Sequence, residues 1–213
     1  MARKARESAR RAREEVYRQH IFEVAEKVFA ERGFEAAKVQ EIARAAELSM
    51  GTIYAIFPGK AELCRALLEE RGRELLGLVR GVVTGGAGPR EALDALIELY
   101  VGYFVEHPDF LRMHLRAGTS WGLAPVDAES RMAHWEEIQA LQADVFRRGI
   151  AEGVFVEEDP AYLARMFSVM DQVLLADWVA SGMRAGRGEL VARLRGWVER
   201  SFVASIRSVF QNA

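Results

Sequence analysis

Apolar residues recur at three- and four-residue steps along most of the chain, which is the spacing of amphipathic α-helices. The longest stripe lies near the N-terminus and consists of Val16, Ile21, Val24, Ala25, Val28 and Phe29. Gly33 follows the last turn of this stripe, and a glycine there can take the left-handed conformation that ends a helix while Phe34 folds back onto it. The pattern predicts a first helix over about residues 8 to 32.

Two very short helices are predicted next. Val39 and Ile42 mark one of them, and Ser49 is a good N-cap for another that runs to Phe57, before Pro58-Gly59. Neither is long enough to be stable alone. Two short helices joined by a tight turn and docked on a longer first helix form a helix-turn-helix module.

The remainder of the chain also follows the helical period. A long helix is predicted from Lys60 to Val83, followed by helices at about 90 to 106, 109 to 117, 127 to 151, 160 to 183 and 187 to 211. No stretch alternates with period two, and Val154-Phe155-Val156 is too short to count as a strand. The expected fold is therefore all-α with about nine helices, divided into an N-terminal module over 1–59 and a C-terminal domain over 60–213.

Composition places the chain among globular proteins, with 50% hydrophobic and 28% charged residues. The formal net charge of -2 hides an asymmetry, because residues 1–60 hold 12 Lys and Arg against 9 Glu, whereas the rest holds 17 against 22 acidic residues. Six basic groups precede residue 14: Arg3, Lys4, Arg6, Arg10, Arg11 and Arg13. This arm either follows a nucleic-acid backbone or enters a minor groove, or it is a disordered, solubilising tail.

The cellular compartment follows from what the sequence lacks. The single cysteine, Cys64, cannot form an internal disulfide, and no secretory signal or apolar stretch of membrane-spanning length is visible. We therefore expect a cytoplasmic protein that does not enter a membrane.

Residues 33 to 63, GFEAAKVQEIARAAELSMGTIYAIFPGKAEL, resemble the DNA-binding signature of the TetR-type transcriptional regulators. Gly33-Phe34 ends helix one, Ile42-Ala43 lies in helix two, and Gly51-Thr52-Ile53-Tyr54 fills the recognition helix. The specific similarity covers about 50 N-terminal residues. The resemblance implies a homodimer that binds double-stranded operator DNA, and a divergent C-terminal domain that accepts a small molecule and releases the DNA. It implies no enzymatic activity and no cofactor.

In that role, Thr52, Tyr54 and Lys60 would contact phosphates, with Gly51 allowing close approach to the duplex. Tyr54 could instead be partly core, and Ser49 could be only a cap. The sequence departs from the family pattern at Lys38, where a Thr is usual, and at apolar Met50, Ala55 and Ile56, so base reading by hydrogen bonds should be sparse. The expected DNA-binding residues are Lys38, Gln40, Arg44, Ser49, Met50, Gly51, Thr52, Tyr54, Ala55 and Lys60.

The eighth predicted helix is apolar nearly all round, and such a helix needs two partners. One partner is its own core. The other is either the same helix in a second subunit, completed by the last helix through Trp197, Val198, Phe202, Ile206 and Phe210, or more of the same core. The residues expected at a dimer interface are Val173, Trp178, Trp197 and Phe202.

Large apolar residues interleaved with polar ones mark a candidate ligand pocket in the C-terminal domain. Each of them could also be plain core, but a buried polar group needs a partner that a ligand can supply. The candidates are Tyr100, Tyr103, Phe104, His107, Phe110, Met113, His114, Trp121, Met132, Trp135, Met170 and Asp171.

Other chemistries are poorly supported. Gly118-Thr119-Ser120-Trp121-Gly122 matches G-x-S-x-G but follows a helical pattern instead of a strand, so a hydrolase using Ser120 is remote. The four histidines lack metal-binding spacing, and no metal site is expected. The favoured function is a ligand-responsive repressor released by a largely apolar effector. The alternative is a helical small-molecule-binding or scaffolding protein that keeps the fold without specific operator binding.

Overall fold

The computed structural model describes residues 2–116 and 133–204. These residues form nine helices: α1 (Ala2–Ala36), α2 (Val39–Ala45), α3 (Met50–Ile56), α4 (Lys60–Thr84), α5 (Pro89–Glu106), α6 (Pro108–Arg116), α7 (Ala133–Ala151), α8 (Pro160–Ala180) and α9 (Arg187–Phe202). The predicted all-α fold is confirmed.

Two compact units divide the chain. The first contains, in its described part, residues 2–71 and 109–116. Its core combines Ile21 and Phe29 of α1, Ile42 of α2, Ile53 of α3 and Met113 of α6, all of them buried. The segment that contains α6 thus belongs to the unit that carries the two short helices.

Helix α1 is longer than the pattern predicted. It begins at Ala2, so the basic arm is helical, and it is interrupted at Gly33, where φ is 76° and ψ is 162°. This combination is essentially restricted to glycine. The predicted break at Gly33 is therefore confirmed.

The second unit contains, in its described part, residues 72–108 and 133–204. Helices α5, α7, α8 and α9 pack around a core of aromatic rings. Phe146 of α7 lies at its centre, with its ring centroid 5.2 Å from that of Phe202 and 5.4 Å from that of Phe155. Helix α4 contributes its first half to the first unit and its second half to this one.

The last helix ends earlier than predicted. Helix α9 stops at Phe202, and Val203 adopts an extended conformation with φ -84° and ψ 129°. Val203 forms an isolated antiparallel bridge with Phe155, because the Val156 N–H donates to the Phe202 carbonyl at 2.9 Å and the Ala204 N–H donates to the Val154 carbonyl at 3.0 Å. The expected helical continuation is wrong at Val203 and Ala204, since these main-chain hydrogen bonds replace helical ones. Residues 205–211, with Ile206 and Phe210, lie outside the described residues.

None of the helices in the described ranges is long and apolar enough to cross a membrane.

Candidate functional site

The turn between α2 and α3 is held by short-range hydrogen bonds. Ser49 is the N-cap of α3, and its Oγ accepts from the Thr52 N–H at 3.0 Å and lies 2.8 Å from Thr52 Oγ1. Glu47 takes a positive φ of 55° inside the turn. The predicted cap at Ser49 is confirmed, and the Thr52 hydroxyl shares a hydrogen bond within the protein.

The two short helices separate their apolar and polar faces. Val39, Ile42, Ala43 and Ile53 are buried in the core of the first unit. The opposite face is exposed and carries Lys38, Gln40, Arg44, Ser49, Gly51, Tyr54 and Ala55. Tyr54 is 46% exposed, so it is not a core residue of the protomer.

Two of the three apolar residues at which α3 departs from the family pattern pack within the protein. Met50 and Ile56 are half-buried and pack against the core of the first unit. A Cβ added at Gly51 would lie 3.7 Å from Ser49 Oγ, an ordinary contact, so the fold itself does not require glycine there. The absence of a side chain at Gly51 matters only to a partner that approaches from outside.

The ammonium group of Lys60 forms hydrogen bonds within the first unit. Its Nζ donates to the carbonyl oxygens of Phe34 at 2.6 Å, Glu35 at 3.0 Å and Ala37 at 3.2 Å. The same Nζ lies 4.5 Å from the centroid of the Phe34 ring. These contacts use all three donors of the ammonium group. The geometry therefore gives Lys60 a structural role at the end of α1 in place of the expected phosphate contact.

Lys38 occupies the N-cap of α2 without capping it. Its side chain makes no cap hydrogen bond, while its main-chain N–H donates to Glu41 Oε2 at 3.3 Å. The exposed ammonium group of Lys38 is the basic group at the start of α2.

The second unit contains a small cavity of about 10 Å³ formed by α5, α7 and α8. Its lining residues are Tyr100, Phe104, Trp135, Ile138, Gln139, Gln142, Phe167, Ser168 and Asp171. Four of these are among the predicted pocket residues: Tyr100, Phe104, Trp135 and Asp171.

A chain of polar side chains runs along the cavity wall. Gln139 Nε2 donates to Ser168 Oγ at 2.6 Å, Ser168 Oγ donates to Gln142 Oε1 at 3.1 Å, and Gln142 Nε2 donates to Tyr100 Oη at 2.8 Å. Burial raises the pKa of the Tyr100 phenol, so Tyr100 stays neutral.

Asp171 is the unusual member of this wall. The residue is 2% exposed, and its Oδ1 atom has no hydrogen-bond partner in the described part of the chain. Burial raises the pKa of the Asp171 carboxyl to about 8. Gln139 Oε1 is likewise buried without a partner. The cavity wall therefore includes two buried side-chain oxygens without a partner among the described residues, which is uncommon for buried polar groups.

The remaining predicted pocket residues lie elsewhere. Tyr103 Oη donates to Glu74 Oε2 at 3.0 Å, and its ring centroid is 4.6 Å from that of His107. Met170 is half-buried and does not line the cavity.

Three further predicted pocket residues, Phe110, Met113 and His114, belong to the first unit. They are buried there, and burial lowers the pKa of His114 to about 3. Trp121, Met132 and the Gly118 to Gly122 motif lie outside the described residues.

The four residues expected at a dimer interface divide into two pairs. Trp178 is buried and its Nε1 donates to the Ala185 carbonyl at 3.0 Å, while Phe202 is buried against Phe146. Val173 is 55% exposed, and Trp197 is half-buried beneath the Arg193 guanidinium. Trp178 and Phe202 thus belong to the core of the second unit. Of the four expected interface residues, only Val173 and Trp197 reach the surface.

Sequence patterns alone missed Gln139, Gln142 and Ser168. The spacing of α7 offered a signal for Gln142. This residue follows Ile138, which is buried, by four positions and therefore lies on the same face of the helix. Among the described residues, no group of three His, Cys, Asp or Glu side chains is arranged to hold a metal ion.

Comparison with known proteins finds similarity within the first unit. Residues 21–67 match the family model described as "Bacterial regulatory proteins, tetR family". The chain is 32% identical over 99 residues to the uncharacterized HTH-type transcriptional regulator YuxN of Bacillus subtilis (strain 168), an alignment that covers 46% of this chain and 34% of that relative. The matched part is thus about a third of the length of YuxN.

Similarity extends beyond the first unit in two other proteins. The HTH-type transcriptional repressor SCO4008 of Streptomyces coelicolor is 28% identical over 147 residues, which is 69% of this chain and 71% of the relative. The solved structure of a transcriptional regulator FadR from Bacillus subtilis, in complex with stearoyl-CoA, superposes with a TM-score of 0.70 at 18% identity. That superposition covers 85% of this chain and 95% of the other, and it establishes likeness of fold.

Proposed function

We propose that residues 21–67, which match the family model of the tetR family of bacterial regulatory proteins, form a DNA-binding domain, and that the protein is a ligand-responsive transcriptional repressor. It binds a near-palindromic operator in double-stranded DNA as a homodimer and is released by a small, largely apolar effector.

The exposed face of α2 and α3 carries this proposal. Its residues, among them Gln40, Arg44 and Tyr54, are exposed and take no part in the packed core of the first unit. A recognition helix that enters a major groove needs such a face. Arg44 supplies charge for a phosphate or a guanine edge, and the Tyr54 hydroxyl can donate to a phosphate oxygen.

A homodimer is supported by an apolar stripe on α8. Tyr162, Met166, Val169 and Val173 follow one another at helical spacing, and Tyr162 and Val173 are largely exposed. The opposite face of α8 is buried in its own unit. A second copy of α8 would cover this stripe by two-fold symmetry, and the symmetric operator would have half-sites about 34 to 36 Å apart or a multiple of that distance.

Induction needs a ligand site in one unit and a mechanical connection to the other. The cavity lies in the second unit, and α4 contributes residues to both units without interruption. The FadR neighbour holds a ligand with a long apolar chain. A coupling of about 1 to 3 kcal/mol between effector and operator would change operator affinity about 5- to 150-fold.

One observation favours the second candidate function, a helical ligand-binding or scaffolding protein without specific operator binding. Met50 and Ile56 pack against the core and Lys60 is engaged by three carbonyl groups, so few side chains remain for DNA.

Fluorescence anisotropy with DNA selected from a random pool distinguishes the two functions. Repressor function predicts a selected near-palindrome and steeply salt-dependent binding. Arg44→Ala should weaken operator binding, whereas Arg65→Ala, which removes an equal charge paired with Glu69 on α4, should not. Failure to select any sequence, or equal losses in both variants, would exclude the repressor in favour of the second candidate.

A further inference from the structure

We propose that the cavity formed by α5, α7 and α8 binds the ammonium group of an organic cation, with Asp171 as its ion partner and Gln139 as a second hydrogen-bond acceptor. This inference rests on the proposed function, because it names the chemical class of the effector.

The unsatisfied oxygen atoms of the cavity wall indicate that the ligand carries a hydrogen-bond donor. Among the described residues, Asp171 Oδ1 and Gln139 Oε1 are buried oxygens on the cavity wall that have no hydrogen-bond partner. Each costs free energy until a donor reaches it. An ammonium group carries three N–H donors and no acceptor, so it can satisfy both oxygens at once.

The amide and hydroxyl donors of Gln139, Gln142 and Ser168 are already committed. The amide nitrogens of Gln139 and Gln142 donate to Ser168 and Tyr100, and the Ser168 hydroxyl donates to Gln142. Among the described residues that line the cavity there is no Lys, Arg or His. Nothing in this lining would balance the charge of a carboxylate or phosphate ligand, so the site should bind such a ligand less tightly than a cation.

The walls and the volume suit a cationic head group. The rings of Tyr100, Phe104, Trp135 and Phe167 line the cavity, and aromatic faces attract cations. The volume of about 10 Å³ corresponds to one water-sized group. An –NH₃⁺ group has about that size, so the head group fits without enlargement.

The charge state of Asp171 links binding to pH. Burial keeps this carboxyl protonated at neutral pH, and a cation favours its ionised form. Among the described residues that line the cavity, the other titratable group is Tyr100 on α5, whose pKa is raised, and the lining residues of α7 do not titrate. On α9, Arg193 pairs with Asp177, and Arg195 pairs with Asp94 and Glu98. Cation binding near pH 7 should therefore release about one proton from Asp171.

The test uses three probes with one apolar body and different head groups: benzylammonium, benzyl alcohol and benzoate. Isothermal titration calorimetry on the full chain measures their affinities between pH 6 and 8, where benzylammonium stays protonated. Benzylammonium should bind more tightly than the other two. Its affinity should rise with pH by up to about tenfold per unit, because the ionised fraction of Asp171 grows. Titrations in two buffers of different ionisation enthalpy count the released proton.

Asp171→Asn removes the charge and keeps the shape. It should weaken benzylammonium at pH 8 at least about tenfold and abolish both the pH dependence and the proton release. Asp177→Asn is the matched control, because Asp177 is an exposed carboxylate on the same helix, and it should change neither. A thermal melting curve for each variant confirms that it is folded.

Three results would overturn the cation site: no binding of benzylammonium, equal or tighter binding of benzoate or benzyl alcohol, or unchanged benzylammonium affinity in Asp171→Asn. Operator binding is measured separately. If the operator binds and benzylammonium does not, the cation site fails and the repressor function stands. If benzylammonium binds as expected and no operator is found, the repressor function fails and the cation site stands.

Discussion

Lys60 Nζ lies 2.6 Å from the carbonyl oxygen of Phe34, so the first residue of α4 holds the C-terminal end of α1. Two further carbonyls, of Glu35 and Ala37, accept from the same ammonium group. Carbonyl groups at a helix end lack partners within the helix and carry the negative end of its dipole, which a cation stabilises.

Lys60→Met should therefore act on stability. Because it removes hydrogen bonds from a charged donor, we expect it to lower the free energy of unfolding by about 1–2 kcal/mol, measured by urea denaturation. Arg65→Ala, which breaks an exposed ion pair within α4, should have little effect. In DNA titrations with folded Lys60→Met, the slope of log affinity against log salt should stay unchanged. A slope reduced by about 1 would instead assign Lys60 to a phosphate.

Tyr54→Phe removes a single exposed hydroxyl from α3. We expect operator affinity to fall about tenfold, because one hydrogen bond to a phosphate is lost, and the free energy of unfolding to stay unchanged. Anisotropy titrations and urea curves measure the two quantities. Operator affinity equal to that of the wild type would remove Tyr54 from the DNA contacts.

Val173→Asp tests the proposed interface on α8. An aspartate at this 55% exposed position would place a charge within the apolar stripe, so the variant should sediment as a monomer. The matched control is Leu78→Asp, which changes an apolar residue of α4 that is 46% exposed. If Val173→Asp stays dimeric, the interface does not involve this stripe.

Substitution of glycine by alanine should have opposite effects on stability at Gly149 and at Gly77. A Cβ at Gly149 would overlap the ring of Phe155, whereas a Cβ at Gly77 would have no neighbour within 4 Å among the described residues. Gly149→Ala should therefore destabilise the protein by about 1–3 kcal/mol through overpacking. Gly77→Ala lies inside α4 and should stabilise it by about 0.5–1 kcal/mol. Thermal and urea unfolding measure both changes, and a neutral Gly149→Ala would contradict the packing of Phe155 on α7.

Stability should fall as the pH rises from about 6.5 to 8. The pKa of Asp171 is higher in the folded protein, about 8, than its ordinary value of 3.8, so the folded state holds a proton that the unfolded state has lost. This contribution is fully present below pH 3.8 and is lost as the pH rises through 8. Urea unfolding of Asp171→Asn should lack this slope, whereas Asp177→Asn should keep it.

The pH-dependent contribution of His114 to stability has the opposite sign and falls in a different pH range. Its pKa falls from 6.5 to about 3 on burial, so its contribution is present above 6.5 and is lost as the pH falls toward 3. The two effects oppose each other below pH 6.5, and the range from 6.5 to 8 isolates Asp171. A wild-type stability that is flat over that range would contradict the buried, unpartnered state of Asp171.

The sequence by itself determined the features that act within a few residues. Helical periodicity, the break at Gly33 and the cap at Ser49 all follow from interactions over one or two turns, and the structure contains each of them. The short helices α2 and α3 were predictable for the same reason.

Tertiary structure alone decided where side chains of similar character end up. Lys60 reaches a carbonyl 26 residues away, and Gln139 reaches Ser168 across 29 residues. Phe110 and His114 follow a helical pattern like that of Tyr100, yet they belong to the other unit. Trp178 and Val173 share one apolar helix, and only packing buries the first and exposes the second. Periodicity shows which residues share a helix face, but burial and hydrogen bonding depend on which distant helix covers that face.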